Sequence, residues 1–508
     1  MSQPAGLDRA WTAAWCAIAL AFPWSNAFMS VATALLGGVA LWTWFSLHHH
    51  RDDPVPRMGW PLMGLVLWIG SSALWSEAPV EALDQVRVTL PLWIGGLAAW
   101  VGATHRDRVQ VNVARVMQCA AFSAMLATAS LVILDLLDGA PFGGRAASRF
   151  ISHIRFGLWW AVLLPWAVYR LPRIWGALAI LFAGVAWSWT ESLTGLIVGG
   201  VTAVWWAPMM WRKCQTGASR WPNSKEVRWA MLGCMGAGLM LAVVGGSALP
   251  TALPDGDSLP ERTEAGEAYT HRLDRRVTEN GHHIWTHVAW GELAQGWRQR
   301  SEVPLAEVQP RLIRFLTSKN LRKDGPGVAA LTEAEVQAIE SGYASVVEWQ
   351  GVGWAKRWNR ICFNWGQWLD GRRTADASLL ARSVYQRTAW EAIREAGFPA
   401  WVVGVGAGDA QTVLEDTYRL HRPDWAPEDR HRPHQQYLSL VLALGLVGLI
   451  LWLWALGQAW RWREAWPAVL VLFLSGLTED TLQTQAGVTL ALWCLALPVW
   501  FRGPSASP

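Results

Sequence analysis

Charge is scarce in this chain. Of its 508 residues only 16% are charged, against roughly 25% in soluble domains. That shortage excludes an ordinary soluble protein with a large core. The net charge of +4 gives no basis for a nucleic-acid partner. Six cysteines, Cys16, Cys119, Cys214, Cys234, Cys362 and Cys494, lie mostly in or beside apolar stretches without paired spacing. Neither a disulfide framework nor a zinc site is suggested. Internal repeats, a P-loop and a dinucleotide fingerprint are also missing, so no cofactor is expected. No small-residue cleavage site follows the first apolar stretch, Ala10 to Phe22. It reads as a short first span and not as a signal peptide.

What the chain has is apolar length. It is 52% hydrophobic and carries 39 Trp, more than aromatic belts at a membrane surface need. About twelve runs approach the 17–25 residues that cross a bilayer. They begin with Ala10 to Phe22 and Ala27 to Leu47 and continue near 59–75, 88–104, 110–137, 156–170, 173–190, 192–211, 227–248, 437–459, 466–478 and 486–501. The expected fold is all-α: a polytopic inner-membrane protein with helices one to nine in residues 1–248, a large helical periplasmic loop in 249–435, and helices ten to twelve in 436–508. Alternate loops hold Arg51 and Arg57, Arg106 and Arg108, Arg170 and Arg173, Arg212 to Arg228, and Arg461 and Arg463. By the positive-inside bias these loops and both termini are cytoplasmic. The long polar region then faces the periplasm of a bacterium, and a cysteine at Ser318 is expected to be reachable there. Within it, "TEAEVQAIESGYASVVEWQ" and "DASLLARSVYQRTAWEAIREAG" have helical periodicity, with Gly397 as the stop of the second.

Some charges do not suit their surroundings. "GGRAASRFISHIRFGLWW" brings Arg145, Arg149, His153 and Arg155 to the outer mouth of span six, where basic residues are disfavoured. Arg155 directly precedes the apolar helix. It either marks function, as ionisable groups at membrane depth usually do, or snorkels to the interface. Arg145 and Arg149 are equally readable as solvated loop charges. Glu191, Glu479 and Asp480 share that membrane face and can serve as structural counter-charges. Arg387 lies on an outer helix. The glycines of "GVGAGD", Gly404 to Asp409, permit a sharp turn and close approach of backbone to a ligand, or simply end a helix. His431 and His434 open the apolar run that starts near Tyr437. Guanidinium forks suit phosphate oxygens, and imidazole exchanges protons near neutral pH. Together they fit a substrate with a lipid tail in the bilayer and a phosphate at its surface.

"HRPHQQYLSLVLALGLVGLI" resembles a His-Asn-x-Tyr-Leu signature, and "SVYQRTAWEAIREAGFPAWVVGVGAGD" an Arg helix followed by a Gly-x-Gly turn. "RFISHIRFGL" and "TEDTLQTQAGV" add two further similar segments. In their order and on their expected side, these resemble the O-antigen ligase and polymerase superfamily of bacterial membrane glycosyltransferases. "HRLDRRVTENGHHIWTHVAWGELAQGWRQRS" and "FLTSKNLRKDG" are similar to the outer loop of a ligase branch. The resemblance implies transfer of a glycan from an undecaprenyl-diphosphate-linked donor to an acceptor glycolipid or glycan, inverting and metal-independent. It makes His434 the base on the acceptor hydroxyl. Arg387 and Arg155, with Arg149, would hold the diphosphate. Gln435, Tyr437, Asp409, Glu479 and Asp480 would support the site, and His431, outside the motif position, would be a reference. Two departures stand out. Gln435 replaces the motif Asn, and Leu193 stands where many relatives carry Arg, a contact that Arg149 could supply. A ligase, a polymerase and a protein O-oligosaccharyltransferase all fit the resemblance; a transporter is the more distant alternative.

Overall fold

The computed structural model describes residues 6–47, 59–139, 148–215, 259–351, 353–371 and 378–501. The chain divides into two compact units, Met1–Met235 with Val384–Pro508, and Gly236–Ser383.

In the first unit the helices are α1 (Leu7–Ala21), α2 (Asn26–Leu47), α3 (Trp60–Ser71), α4 (Pro79–His105), α5 (Val113–Leu137), α6 (His153–Arg170), α7 (Arg173–Trp189) and α8 (Leu193–Gln215). α2, α4, α5 and Gln436–Trp460 are long and apolar enough to cross a membrane. Five shorter apolar helices accompany them, Trp60–Leu74, Ile174–Trp189, Leu193–Trp206, Trp466–Gly476 and Gln485–Trp500. Expected span nine, 227–248, lies outside the described residues, as does Arg145. α4 starts nine residues before the expected 88. Its charged first turns carry the Arg87–Asp84 ion pair at 2.7 Å, which hydropathy alone reads as loop. The surplus of tryptophan goes inside: Trp11, Trp15, Trp159, Trp160 and Trp493 are fully buried. Phe22 stacks on Trp159 with ring centroids 4.1 Å apart, and Trp159 meets Trp493 edge-on at 4.9 Å. Such rings fill wide gaps between helices at little entropic cost.

The second unit has its own core, around Leu293, Trp297, Leu312, Phe315, Leu316, Val336 and Ile339. It holds the two-residue strands β1 (Thr278–Glu279) and β2 (His282–His283), paired antiparallel across Asn280-Gly281, a turn dipeptide favoured for hairpins. The helices α9 (Trp290–Arg298), α10 (Leu305–Ser318), α11 (Gly325–Ala329), α12 (Glu333–Glu340), α13 (Val346–Gln350) and α14 (Gly353–Leu369) follow. α12 opens with a capping box between Thr332 and Glu335. The single helix expected over 332–350 is therefore two, because Gly342, at φ 105°, turns the chain between α12 and α13. Glu279 is fully buried and satisfied by Arg314 at 2.8 Å and Asn359 at 2.5 Å. Ser318 is 5% exposed and donates to the Phe315 carbonyl at 2.7 Å. It is a poor labelling position, which corrects the expectation from sequence.

The first unit resumes at Val384, within the helix α15 (Ser378–Glu395), followed by α16 (Gly397–Val403), α17 (Ala410–His421), α18 (Gln436–Trp460), α19 (Trp466–Gly476) and α20 (Gln485–Ala496). From Val384 onward, still within the region expected over 249–435, the chain clusters with the apolar helices of the first unit. The reason is packing: Ala389, Ala392, Ile393 and Leu414 form a core cluster with Val441 and Leu442.

α18 is not continuous. Gly445 sits at φ 66° and ψ −168° in its middle. Three carbonyls at the break have partners from outside the helix. Leu442 O accepts from Val405 N at 2.9 Å, and Ala443 O accepts from Gly406 N at 3.1 Å. Leu444 O accepts from Trp68 Nε1 at 3.0 Å. Unpaired backbone groups are not tolerated at membrane depth, so a break there needs such partners. The "GVGAGD" loop supplies two of the three, so its close backbone approach is to α18.

Candidate functional site

Three segments meet at the N-terminal end of α18. The stretch His431–Gln435 leads into it, with Gln435 capping the helix by accepting from Leu438 N at 2.6 Å. The loop Thr478–Thr484 between α19 and α20 lies beside it. Asp480, 6% exposed, ties the two together. Its carboxylate accepts from Ser439 Oγ at 2.5 Å and from His434 N at 3.0 Å. Leu482 N donates to the buried Gln436 Oε1 at 2.7 Å. The first turn of α6 completes the wall: Arg155 donates to the Asp480 carbonyl at 3.0 Å and to Thr481 Oγ1 at 3.4 Å. Arg155 is 5% exposed, so it does not snorkel; it is locked into the wall. These hydrogen bonds offset part of the cost of burying its charge.

Between these segments opens a cavity of about 520 Å³, lined by Arg155, His431, Arg432, His434, Glu479, Asp480 and Gln483 among others. Sequence reasoning placed Arg155, His434, Glu479 and Asp480 together, and they do line one space. His434 holds a left-handed backbone, φ 48°, uncommon for a residue with a side chain. Its ring lies 5.8 Å from Tyr385 and 6.2 Å from His431. His431 also faces Tyr385, at 5.5 Å. It therefore belongs to the cavity and is no reference residue, which corrects that expectation.

Two expected arginines are elsewhere. Arg149 pairs with Asp135 at 2.9 Å and Asp138 at 2.5 Å, and Asp135 also accepts from Trp189 Nε1 at 2.7 Å. Arg387 is outside the cavity lining. Its side chain is 61% exposed and bound to Glu391 at 3.0 Å. Glu391 also pairs with Arg422 at 2.6 Å, and the two guanidiniums, Arg422 first, hold its carboxyl below the ordinary value. Asp409 is likewise a fastener. It accepts from Ser76 Oγ at 2.9 Å, Glu77 N at 2.8 Å and Ala78 N at 2.9 Å, closing the α3–α4 turn onto the loop that serves the α18 break. Tyr437 donates to Phe473 O at 2.8 Å and braces α18 against α19. Leu193 begins α8.

The cation that sequence reasoning passed over is Arg432. It donates to Gln411 Oε1 at 3.3 Å and to Gln483 Oε1. Among the described residues no carboxylate lies within ion-pair distance of it. The "HRPHQQ" spelling carried that signal, since Arg432 lies between His431 and Pro433, two residues before His434. Arg155 and Arg432 face Glu479 and Asp480, so two fixed cations meet two carboxylates. The cavity can offer a buried cation, a more exposed one, two carboxylates and two imidazoles to one substrate. Among the described residues no three His, Cys, Asp or Glu side chains are grouped closely enough to hold a metal ion. Compared with protein-family models and with the curated proteins, the chain matches none.

Proposed function

We propose that this chain transfers a glycan from a polyprenyl-diphosphate donor, of the undecaprenyl kind, to an acceptor hydroxyl on a glycolipid or glycan. The observation that carries this reading is the meeting of His434, Arg155 and Arg432 in one cavity at the end of apolar helices. The lipid tail of the donor would lie along those helices. Arg432 and Arg155 would hold the diphosphate, and fixed cations stabilise charge as it develops on a leaving group. His434 would take the proton of the acceptor hydroxyl as its oxygen attacks the anomeric carbon. That carbon then parts from the phosphate oxygen, and the diphosphate leaves with the bonding electrons. A lipid A–core sugar is the acceptor we favour, as in an O-antigen ligase. An O-antigen polymerase or a protein O-oligosaccharyltransferase would run the same chemistry on a different hydroxyl.

The arginines make a direct test. In purified protein given lipid-linked donor and acceptor, Arg432→Ala and Arg155→Lys are each expected to lower transfer at least tenfold, because a lost or displaced charge-assisted bond is worth about 1.5–3 kcal/mol. Arg387→Lys is expected to keep most activity. Loss with Arg387→Lys and not with Arg432→Ala would move the diphosphate away from this cavity.

The reading also requires a periplasmic face and cytoplasmic termini in a bacterial inner membrane. Ala330 is exposed in the second unit. In a Cys362→Ser background, Ala330→Cys is expected to react with a membrane-impermeant thiol reagent in cells with a permeabilised outer membrane. Labelling only after lysis of the inner membrane would invert the topology.

One observation favours a transporter: α18 is broken at mid-length, as helices at transport sites often are. In those sites the freed backbone lines a substrate cavity. Here Val405, Gly406 and Trp68 occupy it, which leaves the transfer reading ahead.

A further inference from the structure

A second cavity lies wholly inside the second unit. Its volume is about 400 Å³, and His282, His283, His287, Asn320, Arg322 and Lys323 are in its lining. Lys323 is the unusual member. It is 3% exposed, and its Nζ makes one long hydrogen bond, 3.3 Å to the His283 carbonyl. An ammonium has three N–H donors, and buried charges are ordinarily paired. The neighbouring Asp324 is committed elsewhere: it accepts from Tyr269 Oη at 2.5 Å and from Gly327 N at 2.8 Å. Among the described residues no carboxylate comes within 4.0 Å of Nζ.

Nothing in the core of this unit requires a lysine there. The backbone of Lys323 bridges His287 O and Ala289 N, each at 2.9 Å, and any residue could do that. Two lining residues, His287 at φ 55° and Asn320 at φ 56°, hold left-handed backbones. Strain of this kind gathers at ligand sites. Burial pushes Lys323 down to about 7. Burial, then the neighbouring His271 and Lys323, push His287 down to about 4. The cavity lining is thus short of negative charge and not of positive.

We propose that this cavity binds a small sugar through an oxyanion that the sugar carries, a carboxylate or a phosphate, seated on Lys323. The volume falls in the range of small-molecule sites, about 300–1,000 Å³, and exceeds what a bare ion fills. Arg322 stands exposed at the rim, where it can take a second oxygen. His282, Thr286, Thr317 and Asn320 offer the partners that sugar hydroxyls need. The proposal goes beyond the transfer reaction and does not rest on it.

The test is calorimetry on the full chain in detergent with four probes: glucuronic acid, glucose 6-phosphate, inorganic phosphate and glucose. One of the two charged sugars is expected to bind more tightly than both glucose and inorganic phosphate, and which one identifies the anion. Lys323→Met is expected to weaken that binding roughly 10–100-fold, the loss of one charge-assisted contact. Asn320→Gly relaxes the left-handed backbone and so keeps the fold; it removes a lining amide and is expected to weaken binding several-fold without lowering the melting temperature. It decides the matter if Lys323→Met does not fold. Charged sugars binding no better than glucose would overturn the site. Inorganic phosphate binding as tightly as the sugar would overturn the sugar, and undiminished binding in both variants would overturn the placement.

Discussion

Replacing His434 is expected to lower glycan transfer about 10²–10⁴-fold, the usual contribution of a positioned general base. Donor binding should persist, because Arg155 and Arg432 are untouched. The left-handed backbone at His434 (φ 48°) complicates an alanine there, since a side chain at positive φ is strained. Asparagine tolerates that conformation, so His434→Asn separates the imidazole from the backbone. Both variants should lose transfer, and His434→Asn should accumulate and melt like the parent. His431→Ala is not a suitable control, as His431 lines the same cavity and packs on Tyr385. His421 is better: it pairs with Glu395 at 2.5 Å, and it is not in the lining. The assay is transfer by purified protein from lipid-linked donor to acceptor. Near-parent activity in His434→Asn would remove this side chain from the chemistry, and equal loss in His421→Ala would signal general damage.

The break in α18 predicts a second large effect, this time on folding. A Cβ on Gly404 would stand 2.3 Å from the carbonyl carbon of Ala443, and one on Gly445 would stand 2.2 Å from Val402 O. Both glycines also occupy backbone that is nearly closed to other residues, φ 81° with ψ 170° and φ 66° with ψ −168°. Gly404→Ala and Gly445→Ala are each expected to cost about 2–6 kcal/mol, from strain and overpacking of about 1–3 kcal/mol apiece. Gly457 lies further along the same helix with open space around its Cα. Gly457→Ala should be neutral or slightly stabilising, since alanine favours helix. Thermal unfolding in detergent and the yield of monodisperse protein would measure this. Equal melting temperatures for the three variants would mean that the α18 break is not a fixed feature of the fold.

The apolar helices were legible from the sequence because crossing a bilayer is a demand on composition over a local window. Gln436–Trp460 was read almost to the residue. So were the residue types of the candidate site: His434 before an apolar run, Arg155 before another and Glu479-Asp480 between two. An ionisable group costs so much at such places that its presence is informative without coordinates. The Thr332–Glu335 cap and the hairpin at Asn280-Gly281 are local signals too, and the all-α reading passed over them.

What only the tertiary structure decided was partnership. Arg387 and Arg432 look alike in a sequence; one is held by Glu391 a helical turn away, and the other reaches into the cavity. Arg149 was a plausible phosphate contact until Asp135 and Asp138 came within reach. The glycines of Gly404–Asp409 read as a ligand loop, yet they close on a break in α18 that a uniformly apolar run conceals. Ser318 looked like surface and is core. In each case the local sequence fixes which groups need a partner, because desolvation depends on residue type and depth. Which partner is found depends on residues tens or hundreds of positions away, such as Val405 with Leu442 or Asp409 with Ser76, and only folding brings those together.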